Sequence, residues 1–129
     1  MKVNKVVNLR YLAGSSEATA SINVNFLVKS IHIKSATYSE DTSGTNANSR
    51  YITLISDLVQ WEPVCLLFNN SLYSAQQFCD VSFQPPQPFT VNGTYKFTTK
   101  NNVGNNYFSA GDANINLILE FNGIDTVDT

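Results

Sequence analysis

Charged residues are scarce in this chain of 129 residues: Asp, Glu, Lys and Arg together make up 14% of it, against roughly 25% in typical soluble domains. The net charge is −2. Because phosphate binding needs concentrated Lys and Arg, this composition does not indicate a nucleic-acid partner. The one basic cluster, Lys2, Lys5 and Arg10, fits a solvated strand face. Asn, Ser and Thr supply most of the polarity, which suits surfaces that pack against neighbours.

Long apolar runs are also missing. The longest, such as residues 64–68, are far shorter than the ~20 residues that a helix needs to cross a bilayer, so we expect no membrane partner. The opening residues, 1–5, lead into a polar alternating segment and not into the apolar centre of a secretory signal. We therefore expect a soluble protein that is made in the cytoplasm of its host cell.

Cysteine is limited to Cys65 and Cys79. Both lie in strand-like, apolar surroundings, where cysteine usually behaves as a small buried hydrophobic residue. A disulfide between neighbouring strands is the alternative. Two cysteines without further ligands do not predict a metal site, and no phosphate loop or dinucleotide fingerprint occurs. We therefore expect neither a metal nor a cofactor.

Recognisable catalytic groups are lacking as well. His32, the single histidine, lies between Ile31 and Ile33 in an alternating segment, which fits a surface position on a strand. No Ser or Cys nucleophile can be tied to it by spacing. The acidic residues fall at turns, in a polar loop or on outward strand positions, and nothing singles out a pair for glycoside hydrolysis. We expect no enzymatic activity.

What the sequence does contain is a rhythm of short alternating segments separated by Gly, Asn, Ser and Pro, typical of a β-sandwich or barrel. No repeat or compositional break divides the chain, so residues 1–129 should form one domain. The rhythm predicts about eight strands, at residues 3–11, 21–28, 30–38, 50–56, 64–68, 78–83, 94–100 and 114–122. Residues 72–77 are the best candidate for a short helical turn.

The alternation also predicts which side chains are buried, because a strand with one buried face repeats every two residues. Between Phe26 and Ile31 the apolar positions change from even to odd. A strand cannot change phase without an extra residue, so we expect a bulge or corner near residues 27–30, where the chain passes from one sheet to the other. The expected core includes Ile22, Val24, Phe26, Leu54, Tyr95, Phe97, Leu117, Leu119 and Phe121.

Together these features predict an all-β fold, an eight-stranded antiparallel jelly-roll sandwich whose opening and closing strands lie side by side. Residues 51–59, 89–97 and 117–121 resemble the pattern of small single-jelly-roll capsid proteins, the penton and minor capsid proteins of large icosahedral DNA viruses. The resemblance implies a non-enzymatic subunit of the virion, which assembles with itself as a pentamer or trimer and with other capsid proteins. That family has no catalytic motif to transfer.

Two other functions remain open. Residues 89–97 also resemble the F-x-x-x-G-x-Y-x-F pattern of trimeric jelly rolls of the complement and tumour-necrosis-factor type, which include receptor-binding heads. A carbohydrate-binding β-sandwich is favoured by Trp61, the tyrosines and the amide-rich composition.

The candidate interface residues lie in connections between strands. Trp61 either packs over the end of the core or is an exposed aromatic anchor. Prolines fix the backbone and lose little entropy on docking. On this basis the candidates are Trp61, Tyr107, Phe108, Pro85, Pro86 and Pro88.

Overall fold

The structure is a computed structural model that describes residues 1–12, 15, 17–40, 51–68, 74–77, 81–100 and 113–124. Within these ranges the chain forms nine β-strands and one 3₁₀ turn. The strands are β1 Lys2–Tyr11, β2 Glu17–Asn23, β3 Val28–Glu40, β4 Tyr51–Ser56, β5 Glu62–Phe68, β6 Ser74–Gln77, β7 Val81–Phe83, β8 Asn92–Lys100 and β9 Ala113–Gly123, and the 3₁₀ turn is Asp57–Val59.

The strands form two antiparallel sheets. The first sheet has the order β1-β9-β3-β6, with β7 also pairing with β3, and the second has the order β2-β8-β4-β5. Strands β7 and β6 pair with successive stretches of β3, at residues 31–33 and 36–39, so the nine strands occupy eight positions. This strand order is that of a jelly roll, as predicted.

The opening and closing strands lie side by side, which confirms that prediction. Strands β1 and β9 pair over their full length, from Lys2 opposite Asn122 to Tyr11 opposite Ala113. Both strands alternate, and their odd-numbered apolar residues point between the two sheets. These buried residues are Val7, Leu9 and Tyr11 on β1 and Ile115, Leu117, Leu119 and Phe121 on β9.

The core lies between the sheets and matches most of the predicted set. The prediction of burial was wrong for Phe26 and Tyr95, because each is only half-buried. Phe26 lies in the connection after β2, at the end of the sandwich, and the Tyr95 hydroxyl accepts a hydrogen bond from the Asn92 backbone N–H at 3.0 Å in an exposed position. The confirmed residues are Ile22, Val24, Leu54, Phe97, Leu117, Leu119 and Phe121.

The expected irregularity near residues 27–30 is confirmed by a register shift between Val28 and Ser30. The chain also changes sheets there, since β2 belongs to the second sheet and β3 to the first. The predicted strand 21–28 was misplaced, because β2 runs from Glu17 to Asn23. A second register shift lies between Ile33 and Ser35.

The prediction of a helical turn at residues 72–77 is wrong for residues 74–77, the part that the structure describes. Residues Ser74–Gln77 form β6 and pair with residues 36–39 of β3. These four residues, Ser-Ala-Gln-Gln, have no apolar alternation of their own, so their strand conformation comes from the pairing. The only 3₁₀ turn in the described ranges follows β4 instead, at Asp57–Val59.

Candidate protein interface

The structure describes four of the six predicted interface residues, and they differ in exposure. Trp61 lies between β4 and β5 and is 50% exposed. Between β7 and β8, Pro86 and Pro88 are exposed and Pro85 is half-buried. Tyr107 and Phe108 lie outside the described residues, as do Cys79 and the side chain of Cys65.

Trp61 and the prolines share one end of the sandwich. Trp61 follows the last residue of β4, Ser56, which pairs with Phe97. The prolines are followed by Phe89, which bridges to Val28 at the start of β3. By contrast, Lys100 and Ala113, the described residues that flank the segment containing Tyr107 and Phe108, pair with Thr53 and Tyr11 at the other end. The structure therefore brings the Trp61 and proline connections to the same end.

The backbone of the turn that carries Trp61 is strained. Gln60 and Trp61 both have positive φ, 58° and 62°, a region that costs a non-glycine residue about 1–2 kcal/mol. The Trp61 N–H donates to the Ser56 carbonyl at 2.7 Å, and the Gln60 N–H donates to the Asp57 carbonyl at 3.3 Å. Two successive residues in this region are held only where the surroundings fix them.

Side-chain hydrogen bonds anchor the same turn to the sheet. The buried Ser56 hydroxyl accepts from the Leu58 N–H at 3.1 Å, and Asp57 Oδ1 accepts from the Lys96 N–H of β8 at 2.9 Å. Leu58 and Val59 are buried beneath the turn. These contacts hold the backbone of residues 56–62, which we call the Trp61 turn, and leave Trp61 half exposed.

Sequence reasoning missed a second exposed apolar feature, on the solvent side of the first sheet. Val6 is 66% exposed and Ile118 is 40% exposed, and the two residues are directly opposite each other on β1 and β9. The signal was present, because each interrupts an otherwise polar run of even-numbered residues. Three amides flank them on the same side, Asn4 and Asn8 on β1 and Asn116 on β9, and Glu120 follows Ile118 on that side of β9.

An ion group borders this apolar pair. Glu120 contacts two lysines, with its Oε1 3.7 Å from the Lys2 Nζ and its Oε2 3.4 Å from the Lys34 Nζ. Partial desolvation raises the pKa of Glu120, but the hydrogen bond from Lys34 and the charge of Lys2 outweigh it, so the pKa is lowered. Two ammonium groups thus surround one carboxylate, and the group is net positive. Val6, Ile118, the three amides and this ion group are named the outer face.

Other candidate chemistry is limited. His32 is half-buried on the same side of the sheet, opposite Glu120. Among the described residues no group of three or more His, Cys, Asp or Glu side chains is arranged to hold a metal ion. The described part of the chain contains no helix long and apolar enough to span a membrane.

Comparisons with known proteins give structural similarities only. No protein-family model and no curated protein sequence matches this chain. Among solved structures, the chain is similar to the capsid of Helicobacter pylori bacteriophage KHP30, with 11% identity, coverage of 96% of this chain and 94% of that chain, and a TM-score of 0.45. It is similar to the cyanophage Pam1 capsid, with 13% identity, coverage of 95% and 86%, and a TM-score of 0.45.

A third similar structure is the Drosophila NLP core, with 10% identity, coverage of 95% of this chain and 100% of that chain, and a TM-score of 0.49. Viral capsid proteins are thus among the structures to which this chain is similar, as the sequence resemblance predicted. Because these identities and TM-scores are low, the jelly-roll assignment rests on the strand order of this chain itself.

Proposed function

We propose that this chain is a non-enzymatic structural subunit of a virus capsid, of penton or minor capsid type. It assembles with copies of itself, as a pentamer or trimer, and with other capsid proteins, without binding nucleic acid or membrane. It is made in the host cytoplasm and resides in the virion. The jelly-roll strand order supports this role, because viral capsid domains are among the proteins that use this fold.

The observation that carries the assembly role is the outer face. Its centre is the exposed Val6–Ile118 pair, which is flanked by the amides Asn4, Asn8 and Asn116 and, on one side, by the Glu120 ion group. Interfaces are depleted in Lys, Glu and Asp at their centres, because burying an unpaired charge costs more than burying an amide that finds a hydrogen bond. A sheet face with an apolar centre and an amide border therefore suits contact with another protein.

Two measurements test this function together. Sedimentation of the purified protein over a concentration series is expected to give a closed oligomer, and mass spectrometry of purified virions is expected to find the chain in the particle. A strict monomer that is absent from every particle contradicts the proposal. Reproducible turnover of a substrate, abolished by substituting a single acidic residue or His32, contradicts its non-enzymatic part.

Receptor or carbohydrate binding is the second candidate, and Trp61 is the observation that favours it. A half-exposed indole on a fixed turn can stack on a sugar ring, since aromatic rings offer a large apolar surface at small entropic cost. A glycan array probed with the wild type and with Trp61→Ala separates the two functions. Sugar binding by a monomer, lost in Trp61→Ala, supports the second candidate and contradicts the first.

A further inference from the structure

We infer that copies of this chain join head to tail, with the Trp61 turn of one copy seated on the outer face of the next. This inference rests on the proposed function, since it identifies the surfaces through which the subunit assembles with itself. The occupant of the outer face is a second copy of the chain, and the two contact surfaces are the apolar pair Val6–Ile118 and the indole of Trp61.

The two surfaces cannot meet within one copy. The outer face lies on the solvent side of the first sheet, on β1 and β9 with Lys34 of β3, and β1 lies across from β2 at one side of the sandwich. The Trp61 turn joins β4 to β5, and β5 lies next to β3 and β6 at the opposite side. Any contact between them is therefore between two copies. Because the two surfaces differ, the contact is heterologous, and repeated contacts of this kind close into a ring when the rotation between copies permits it.

The apolar parts of the two surfaces are complementary. Trp61 is 50% exposed, Val6 66% and Ile118 40%, so each surface leaves apolar atoms in water that the other can cover. Tryptophan is enriched among the residues that dominate binding energy at interfaces. The hydrogen bonds of Ser56 and Asp57 fix the turn in advance, which reduces the entropy lost on docking.

The charges are complementary as well. Glu62 follows Trp61 directly, is exposed, and has no ion-pair partner among the residues that the structure describes. The ion group on the outer face is net positive, because Lys2 and Lys34 share the single carboxylate of Glu120. Seating Trp61 on Val6 and Ile118 brings Glu62 to this group, where it supplies the missing negative charge. Such complementarity fixes the register between partners.

Substitutions at the two surfaces test the contact by sedimentation equilibrium. Trp61→Ala and the double variant Val6→Ser, Ile118→Ser are each expected to weaken self-association at least about tenfold, as expected for a central anchor. Leu12→Ser is the matched control. Leu12 is 59% exposed, but it follows β1 at the end of the sandwich opposite the Trp61 turn and lies outside both proposed contact surfaces. Circular dichroism checks that every variant is folded. Equal effects of the control and the test variants overturn the inference.

A charge exchange tests the pairing of the two surfaces. Glu62→Lys alone should weaken association, and Lys34→Glu alone should do the same. A chain that carries both substitutions restores opposite charges between neighbouring copies, so association should return to within about threefold of the wild type if the charges interact directly. Additive weakening in the double variant contradicts the arrangement.

Disulfide trapping identifies which surfaces touch. In chains with Cys65 and Cys79 replaced by Ser, Val6→Cys is placed in one chain and Trp61→Cys in another. A cross-linked dimer should form only when the two chains are mixed. Dimers of the Val6→Cys chain alone indicate a face-to-face contact and overturn the inference. If the cysteine-free chain does not fold, the charge exchange decides.

The result also separates the inference from the proposed function. A wild-type oligomer that is unaffected by Trp61→Ala, Val6→Ser with Ile118→Ser, and Glu62→Lys overturns the head-to-tail contact but leaves a self-assembling subunit. A wild type that stays monomeric at the highest attainable concentration overturns the head-to-tail contact as well. If that monomer is also absent from every particle, the proposed function fails with it.

Discussion

Strands β1 and β9 each have an inner face, which packs between the two sheets, and an outer face, which points to solvent. On the inner face, Val7 and Leu117 are almost fully buried, whereas on the outer face their neighbours Val6 and Ile118 are 66% and 40% exposed. The side chains are of the same apolar type, and their positions differ by one residue. Stability therefore depends on the inner face, while the outer face can change with little effect on folding and is available for contact with other proteins.

The largest expected effect on stability comes from removing an aromatic ring from the core between the sheets. Phe97→Ala or Phe121→Ala should lower the free energy of unfolding by roughly 3–5 kcal/mol, because each ring is fully buried and leaves a cavity. Urea unfolding monitored by circular dichroism measures this. A loss below about 1 kcal/mol at both sites means that these rings do not form the centre of the core.

Two adjacent valines give the sharpest form of the comparison. Val7→Ala removes two buried methyl groups, so it should cost about 2 kcal/mol. Val6→Ala removes the same atoms from an exposed position and should change stability by less than about 0.5 kcal/mol. Each variant is the control for the other in the same urea titration. Equal losses mean that the two faces are not distinguished by burial.

A smaller effect is expected from a single buried hydrogen bond. The Tyr11 hydroxyl donates to the Phe97 carbonyl at 2.9 Å and joins the two sheets across the core. Tyr11→Phe keeps the ring but leaves that carbonyl without this donor, so it should cost about 1 kcal/mol. The change is measured by thermal and urea unfolding. A variant as stable as the wild type shows that the bond contributes nothing measurable.

The smallest expected effect is on the pH dependence of stability, and it comes from Glu120 on the outer face. The pKa of Glu120 is lowered in the folded state below its ordinary value of 4.5, so the folded chain binds this proton less tightly than the unfolded chain does. The stabilisation is complete above the ordinary pKa and is lost as the pH falls through the folded pKa.

Glu120→Gln should therefore remove part of the acid-induced loss of stability. The wild type is expected to be the more stable of the two near neutral pH, and the difference should shrink below about pH 4.5. Urea midpoints at a series of pH values measure this. The expectation is contradicted if the difference stays constant or grows as the pH falls.

Where sequence reasoning succeeded, the residues carried a strong local pattern. The alternation in β9 identified Leu117, Leu119 and Phe121 as buried. The change of phase between Phe26 and Ile31 correctly located the irregularity at the start of β3. In both places the two-residue period is visible in the chain itself, because one face of the strand is apolar throughout.

Where sequence reasoning failed, the apolar alternation was weak, and pairing with a neighbouring strand determined the backbone conformation. Residues 17–20, Glu-Ala-Thr-Ala, were not recognised as the start of β2, and their strand conformation comes from pairing with β8. Residues Ser74–Gln77 became β6 by pairing with β3. Edge segments of this kind have few apolar side chains, so local sequence gives little information about them.

The sequence by itself determined the all-β class, most of the inner faces, and the proximity of the two terminal strands, because these follow from a period of two and a small number of connections. Only the tertiary structure decided that Val6 lies opposite Ile118, since this depends on the register between strands more than a hundred residues apart. It also decided the positive φ of Trp61, which is held by Ser56 and the surrounding turn. The register depends on contacts between distant strands, and the turn is also held by the hydrogen bond from Lys96 of β8 to Asp57, so neither follows from the local sequence pattern.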